Sequence, residues 1–261
     1  MLFELPCPVI DAHIHPYMDS TDCIGAYGSP TDREDFFSEL KRYGFTRVVG
    51  SVIRKKSPIL TLENLIETND TAMKLAELYP DFYIPGIHVH GGFPEESCRI
   101  IEEFYAKGGR WIGELGPYAL KTGDYEDEGM KVIYECAASL GIPMNIHCTE
   151  REKVAYIAEN FPKLKLVLAH PEDVGNARLR IEMVKKYPNL YLDICGTGLF
   201  RWNMLRFAID MCGKEKFLFG SDFPICSAGM NLGGVLTEHL TLEEQECVLY
   251  KNFLNLTGLK L

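Results

Sequence analysis

The chain predicts a single (β/α)8 TIM barrel, an α/β architecture, from three observations. Eight short runs rich in Val, Ile, Leu and aromatic residues recur along it, helical stretches separate them, and its 261 residues match the ~250 typical of that barrel. An open doubly wound sheet fits less well, because its Gly-rich phosphate loop, G-x-G-x-x-G, is missing. The runs are PVIDAHIH (8–15), TRVVGSVI (46–53), DFYIPGIHVH (81–90), RWIGEL (110–115), IPMNIH (142–147), KLVLAH (165–170), LYLDIC (190–195) and KFLFGSD (216–222). Near-continuous apolar runs of this length describe strands buried on both faces, as in a parallel sheet. Amphipathic stretches lie between them: Asp32 to Tyr43, Leu62 to Tyr79, Pro94 to Lys107, Asp127 to Leu140, Glu150 to Phe161 and Arg201 to Cys212. The tail from Thr241 to Leu261 reads as one or two closing helices. No linker, repeat or low-complexity stretch interrupts the pattern, so residues 1–261 are expected to form one domain. Two stretches, Met18 to Thr31 and Ala228 to Leu236, read as loops forming lids or walls of a site.

Composition narrows the function. With 46% hydrophobic and 25% charged residues, the chain is ordinary globular material. A formal charge of −10 disfavours a polyanion-binding surface, so a small-molecule substrate is expected and nucleic acid is not. Nine cysteines without a C-x-x-C pair resemble neither a disulfide framework nor a thiolate zinc site, and suggest a reducing cytoplasm. The N-terminal MLFELPCPVID has no basic leader, and no apolar run approaches the ~20 residues that span a bilayer. A homo-oligomer is compatible with all of this.

The motif VIDAHIHPY (9–17) places His13 and His15 two residues apart. In a strand such residues project to the same face, where two neutral imidazoles can reach one ion of the zinc type at roughly 2.0–2.1 Å. An isolated H-x-H is equally one buried core histidine and an incidental neighbour. Six of the seven histidines, however (His13, His15, His88, His90, His147 and His170), fall at the C-terminal ends of expected strands, where barrel active sites assemble. Glu114 in WIGELGP and Asp222 in FLFGSDFP add carboxylates at the same rim. This mixed imidazole and carboxylate set suits Zn, Mn or Fe rather than Ca or Mg alone.

At these residues the sequence resembles the metal-dependent amidohydrolase superfamily, in its amidohydrolase-related branch, and more distantly the TatD-like hydrolases. The likeness runs from DAHIHPY through IGELGPY, MNIHCTE and VLAHPED to FGSDFP and the ending NFLNLTGL. It implies that His13 and His15 bind a first metal, that His147 and His170 bind a second metal or the substrate, that Glu114 bridges the two, and that Asp222 both ligates the first metal and handles a proton. Many superfamily members carry a carboxylated lysine where Glu114 stands, and many of this branch hold one metal with no bridging group, so one or two ions are open. A bound divalent ion lowers the pKa of water from 15.7 toward roughly 7. Asp222 would accept the proton of the attacking water and return it to the leaving group.

The expected function is therefore hydrolysis of a small ester, lactone or amide. Non-oxidative decarboxylation of a small unsaturated or aromatic acid uses the same rim residues. A TatD-like phosphodiesterase and a catalytically silent metal-binding protein are further readings. Arg54, His88, His90 and Tyr118 are candidate substrate contacts, each with a plainer reading as surface or scaffold. Asp193 is assigned no catalytic part, and Cys148, Cys195 and Cys226 are read as core-filling thiols.

Overall fold

The computed structural model describes residues 5–28, 32–55, 57–196, 198–199 and 201–261. Strand and helix alternate in it: β1 (Ile10–Ile14), α1 (Arg33–Tyr43), β2 (Arg47–Ser51), α2 (Leu62–Leu78), β3 (Tyr83–Gly86), α3 (Pro94–Ala106), β4 (Ile112–Leu115), α4 (Pro117–Leu120), α5 (Glu128–Leu140), β5 (Met144–Ile146), α6 (Arg151–Asn160), β6 (Leu166–Leu168), α7 (Val174–Lys186), β7 (Leu190–Asp193), α8 (Met204–Cys212) and β8 (Phe217–Leu218). α9 (Ala228–Thr237), α10 (Leu242–Glu246), a π-turn and α11 (Asn252–Thr257) follow. Neighbouring strands pair in parallel as β1-β2-β3 and as β4 through β8. Single bridges join these arcs, Ile87 to Ile112 on one side and Ile14 to Phe223 on the other. The second seam is reinforced by Ala12 N–H to Phe219 O (2.9 Å) and Asp222 N–H to His13 O (2.8 Å). The ring is thus closed as a (β/α)8 barrel.

Local chemistry sets the helix boundaries. Asp32 caps α1 by accepting from Asp35 N–H, and Gly44 ends it in the left-handed region (φ 93°), the usual division of labour between the two ends. Thr61, Asp173, Ser227 and Thr241 cap α2, α7, α9 and α10 in the same way. One expectation needs correction. The stretch Ala228 to Leu236 is the helix α9, not a loop; its two adjacent glycines sit inside a helix whose Leu232 and Val235 are buried. The helix α7 carries a buried arginine, Arg180, on the face that packs against the barrel, which blurs its apolar stripe in the sequence. Of the other expected wall, residues 29–31 lie outside the described residues, and Ser20–Asp22 form a short 3-10 turn.

The barrel interior has an apolar floor and a polar mouth, and two bulges mark the change. Ile10 and Ala12 of β1 pack in one buried cluster with Val49, Trp111, Val167 and Phe253. Phe253 of α11 meets Trp111 at 5.4 Å between ring centroids, so the C-terminal helices plug the bottom. Between Asp11 and Ile14, β1 holds one residue more than β2 opposite it. The inward parity therefore passes from Ile10 and Ala12 to His13 and His15. β4 has the same irregularity between Ile112 and Leu115, around Glu114. A bulge re-aims side chains in this way. Facing the β1 bulge, a Cβ on Gly50 would lie 1.8 Å from Ile14 O, so only glycine fits there.

No helix among the described residues is long and apolar enough to cross a membrane. All nine cysteines are free thiols.

Candidate metal centre at the barrel mouth

Side chains from β1, β4 and the ends of β5, β6, β7 and β8 meet at one end of the barrel. In the first group, His13 Nδ1–H donates to Asp193 Oδ2 (2.9 Å) and His15 Nδ1–H donates to Ser51 O (3.1 Å). These partners only accept, so both Nε2 atoms are left with lone pairs, and they face each other at 3.1 Å. Two facing lone pairs require a cation, either a proton or a metal ion. Asp222 Oδ1, buried and without a hydrogen-bond partner, lies 3.4 Å from His15 Nε2 and 3.8 Å from His13 Nε2. Donors on a tetrahedral ion with bonds of roughly 2.0–2.1 Å stand about 3.3–3.4 Å apart. The set His13, His15 and Asp222 fits a divalent ion.

Glu114, His147 and His170 form the second group. Glu114 Oε1 lies 2.9 Å from His147 Nδ1 and 3.2 Å from His170 Nε2. Its other oxygen, Oε2, lies 3.4 Å from His15 Nε2 and 3.6 Å from His13 Nε2. One carboxylate thus faces both groups. The outer nitrogens here have weaker partners: His170 Nδ1 meets the Cys195 thiol at 3.1 Å, and His147 Nε2 lies 3.8 Å from Glu172 Oε1. His147 is also the most open of the four imidazoles, with Tyr118 Oη 3.3 Å from its Nδ1.

The electrostatics follow from burial and proximity. Burial alone would raise Glu114, but His13, His147 and His15 hold it well below the usual carboxylate range. Burial alone would lower His15, yet the carboxylates of Asp222 and Glu114, each 3.4 Å from its Nε2, lift it to about 9. Asp193, fully buried, is likewise held low despite burial, chiefly by His13.

The supporting groups are where sequence reasoning fell short. Asp193, given no catalytic part from the sequence, accepts from His13, from Asn145 Nδ2 (2.9 Å), from His170 N–H (3.1 Å) and from the Cys195 thiol (2.8 Å). It ties both groups together. Its place at the end of β7, the same rim as the histidines, was the available signal. Arg180 is a second omission: its guanidinium donates to Cys148 O and Ala169 O, both at 2.9 Å, and meets Glu172 at 3.3 Å. It holds the backbone next to His147 and next to His170. Several mouth residues are in left-handed backbone although none is glycine: Lys121 (φ 63°), His170 (φ 67°), Glu172 (φ 68°) and Asp222 (φ 60°). Such outliers gather at functional sites because each costs roughly 1–3 kcal/mol that surrounding contacts must hold.

The candidate substrate contacts divide. Tyr118 stands beside His147. His88 is buried in the barrel wall, its Nε2–H donating to Val52 O (2.8 Å), while its Nδ1 has no partner. His90 is occupied within its own loop, accepting from Gly92 N–H (2.8 Å) and stacking against Phe93. Arg54 Nη1 donates to Glu67 Oε2 of α2 at 2.6 Å. A cavity of about 680 Å³ opens beside His147, lined by Pro117, Tyr118, Lys121, Tyr125, Thr149 and Lys153 among others.

A closed (β/α)8 barrel with imidazoles and carboxylates gathered at its C-terminal mouth defines a class of metal-dependent barrel proteins. The chain belongs to the Amidohydrolase family, whose model matches residues 10–253. A 70-residue stretch is 37% identical to the dihydroorotase of Helicobacter hepaticus, covering 23% of this chain and about a fifth (19%) of that protein. Among solved structures, a putative amidohydrolase from Staphylococcus aureus superposes with a TM-score of 0.73 at 16% identity, over 97% of this chain and 100% of that one. The 5-carboxyvanillate decarboxylase of Sphingomonas paucimobilis gives 0.72 at 13% identity, over 97% and 99%. A dihydroxybenzoic acid decarboxylase from a Polaromonas species, solved with bound manganese and 2-nitroresorcinol, gives 0.70 at 17%, over 96% and 97%. At these identities the likeness concerns the fold.

Proposed function

We propose that the protein is a metal-dependent hydrolase of a small ester, lactone or amide, built around two divalent ions, with zinc first in line and manganese or iron suited to the same donors. The observation that carries this reading is Glu114, whose two oxygens face the two donor groups separately. His13, His15 and Asp222 would hold the first ion, His147 and His170 the second, and Glu114 both. Bound divalent ions supply Lewis acidity for activating water and polarising a carbonyl. Asp222 is the general base and acid: the carboxylate oxygen it does not give to the ion would accept the proton of the attacking water and return it to the departing alkoxide or amine. Asp193 and the Ser51 carbonyl keep the donor nitrogens of His13 and His15 facing inward. Tyr118, beside His147, borders the space a substrate would occupy. Nine free thiols are in keeping with a reducing, cytoplasmic setting.

Decarboxylation of a small unsaturated or aromatic acid is the second reading. It is favoured by the solved structures with decarboxylase names, which favour it over hydrolysis, whereas the Glu114 bridge favours hydrolysis. One experiment separates them. The protein, its metal counted by elemental analysis, is assayed on a panel of lactones, esters and amides and, in parallel, for carbon dioxide release from aromatic and unsaturated acids. Two ions per chain with hydrolysis abolished in Asp222→Asn is the expected result. One ion per chain with carbon dioxide release would transfer the assignment to the second reading.

A further inference from the structure

The cavity beside His147 contains an uneven arrangement of charge. Lys153 sits between Asp124 (2.6 Å) and Glu150 (2.9 Å) and is neutralised by them. Lys121, on the same wall, has no carboxylate within ion-pair distance among the described residues. Its ammonium donates only to the Tyr118 carbonyl, at 3.2 Å, which engages one of three N–H bonds and cancels no charge. The backbone there is left-handed at a residue with a Cβ (φ 63°), immediately after α4. Tyr118 links the two places: its hydroxyl lies 3.3 Å from His147 Nδ1, and its carbonyl holds Lys121. Glu114, Asp222, Asp193 and Glu172 make the neighbouring centre rich in carboxylates, and the chain is acidic overall, so a cation without a carboxylate partner at this wall changes what can approach. A space of about 680 Å³ lies within the range that takes a small organic molecule.

We infer that Lys121 is a specificity residue, the counter-ion for a carboxylate that the substrate carries apart from its reacting carbonyl. This rests on the reading of the neighbouring cluster as the reaction centre. The substrate class is then an acid: an amide, ester or lactone that also bears a free carboxylate, laid along Pro117, Tyr118 and Tyr125 with its acid end on Lys121. Tyr125 is a fixed part of that wall, its hydroxyl donating toward Leu115 O and His147 O.

The test uses hippurate, which has an amide carbonyl and a carboxylate, and its neutral counterpart hippuramide. Both are titrated calorimetrically into metal-loaded wild type, Lys121→Gln, Lys121→Arg and Lys153→Gln. Wild type is expected to bind hippurate at least tenfold more tightly than hippuramide. Lys121→Gln should bring the two within about twofold, Lys121→Arg should restore most of the preference, and Lys153→Gln should keep it. A preference unchanged in Lys121→Gln, a preference lost instead in Lys153→Gln, or no preference in wild type overturns the inference. Metal content of the same samples separates the failures. Wild type that holds no ion defeats the reaction-centre reading, while full metal content with an unchanged preference in Lys121→Gln defeats only the role of Lys121.

Discussion

The two donor groups at the barrel mouth are made of the same kinds of side chain and are supported very differently. His13 and His15 are fully walled in, and their outer nitrogens are fixed by a buried carboxylate and a strand carbonyl at 2.9 and 3.1 Å. His147 is partly open to a cavity, and the outer nitrogens of His147 and His170 meet a carboxylate at 3.8 Å and a thiol. Outer partners of a ligating histidine typically set metal affinity within 10–100-fold. On the proposed two-ion reading, the ion on the β1 side would be firmly held and the one on the β5 and β6 side more exchangeable, with Glu114 facing both.

That contrast can be broken most sharply at Asp222. Asp222→Asn keeps the shape and a ligating oxygen but loses the proton acceptor, so turnover is expected to fall by about 10³-fold while both ions remain countable by elemental analysis. Full activity in the variant would remove the proton role. Next in size, Asp193→Asn withdraws the carboxylate behind His13, and calorimetric titration should find the first ion weakened by roughly 10–100-fold. If the second ion weakened more, the ranking of the two groups would be reversed. A smaller effect is expected from Glu172→Gln, which should weaken only the second ion, by about threefold to tenfold, within the lower part of the span for outer partners.

The pH dependence sharpens the comparison from the other side. In the ion-free protein His15 is lifted to about 9 by Asp222 and Glu114, against the effect of burial. At neutral pH it therefore carries a proton that an incoming ion must displace. Affinity for the first ion should rise with pH until about 9, and binding at pH 7 should release protons, measured by titrating in buffers of different ionisation enthalpy. Affinity independent of pH across that range would show that the facing nitrogens are not competing for a proton.

The barrel and the six residues gathered at its mouth could be read from the chain because each leaves a local mark. A buried parallel strand is a continuous apolar run, and a polar residue at its end breaks the run visibly. Supporting residues leave no such mark. Asp193 sits within LYLDIC, at the end of β7, much as a loop-stabilising aspartate would, and only the fold places it behind His13. Arg180 is one cation among several on α7 until three-dimensional contact shows it gripping the carbonyls beside two histidines. Arg54, just past β2, pairs with Glu67, thirteen residues on, a contact that no local pattern in the sequence marks. Strand alternation gives His13 and His15 a common face, but an irregular register, not an unbroken strand, turns that face inward.

The extra residue in β1 and its counterpart in β4 carry an engineering lesson. Below those points the strands answer to the plug around Trp111 and Phe253; above them they answer to the ligands. A designer could exchange the greasy base of this scaffold for sturdier filling, or graft a different ligand set onto its rim, and treat the two as separate modules. A deletion that straightened either strand would flip its rim residues out of the lumen and forfeit that independence.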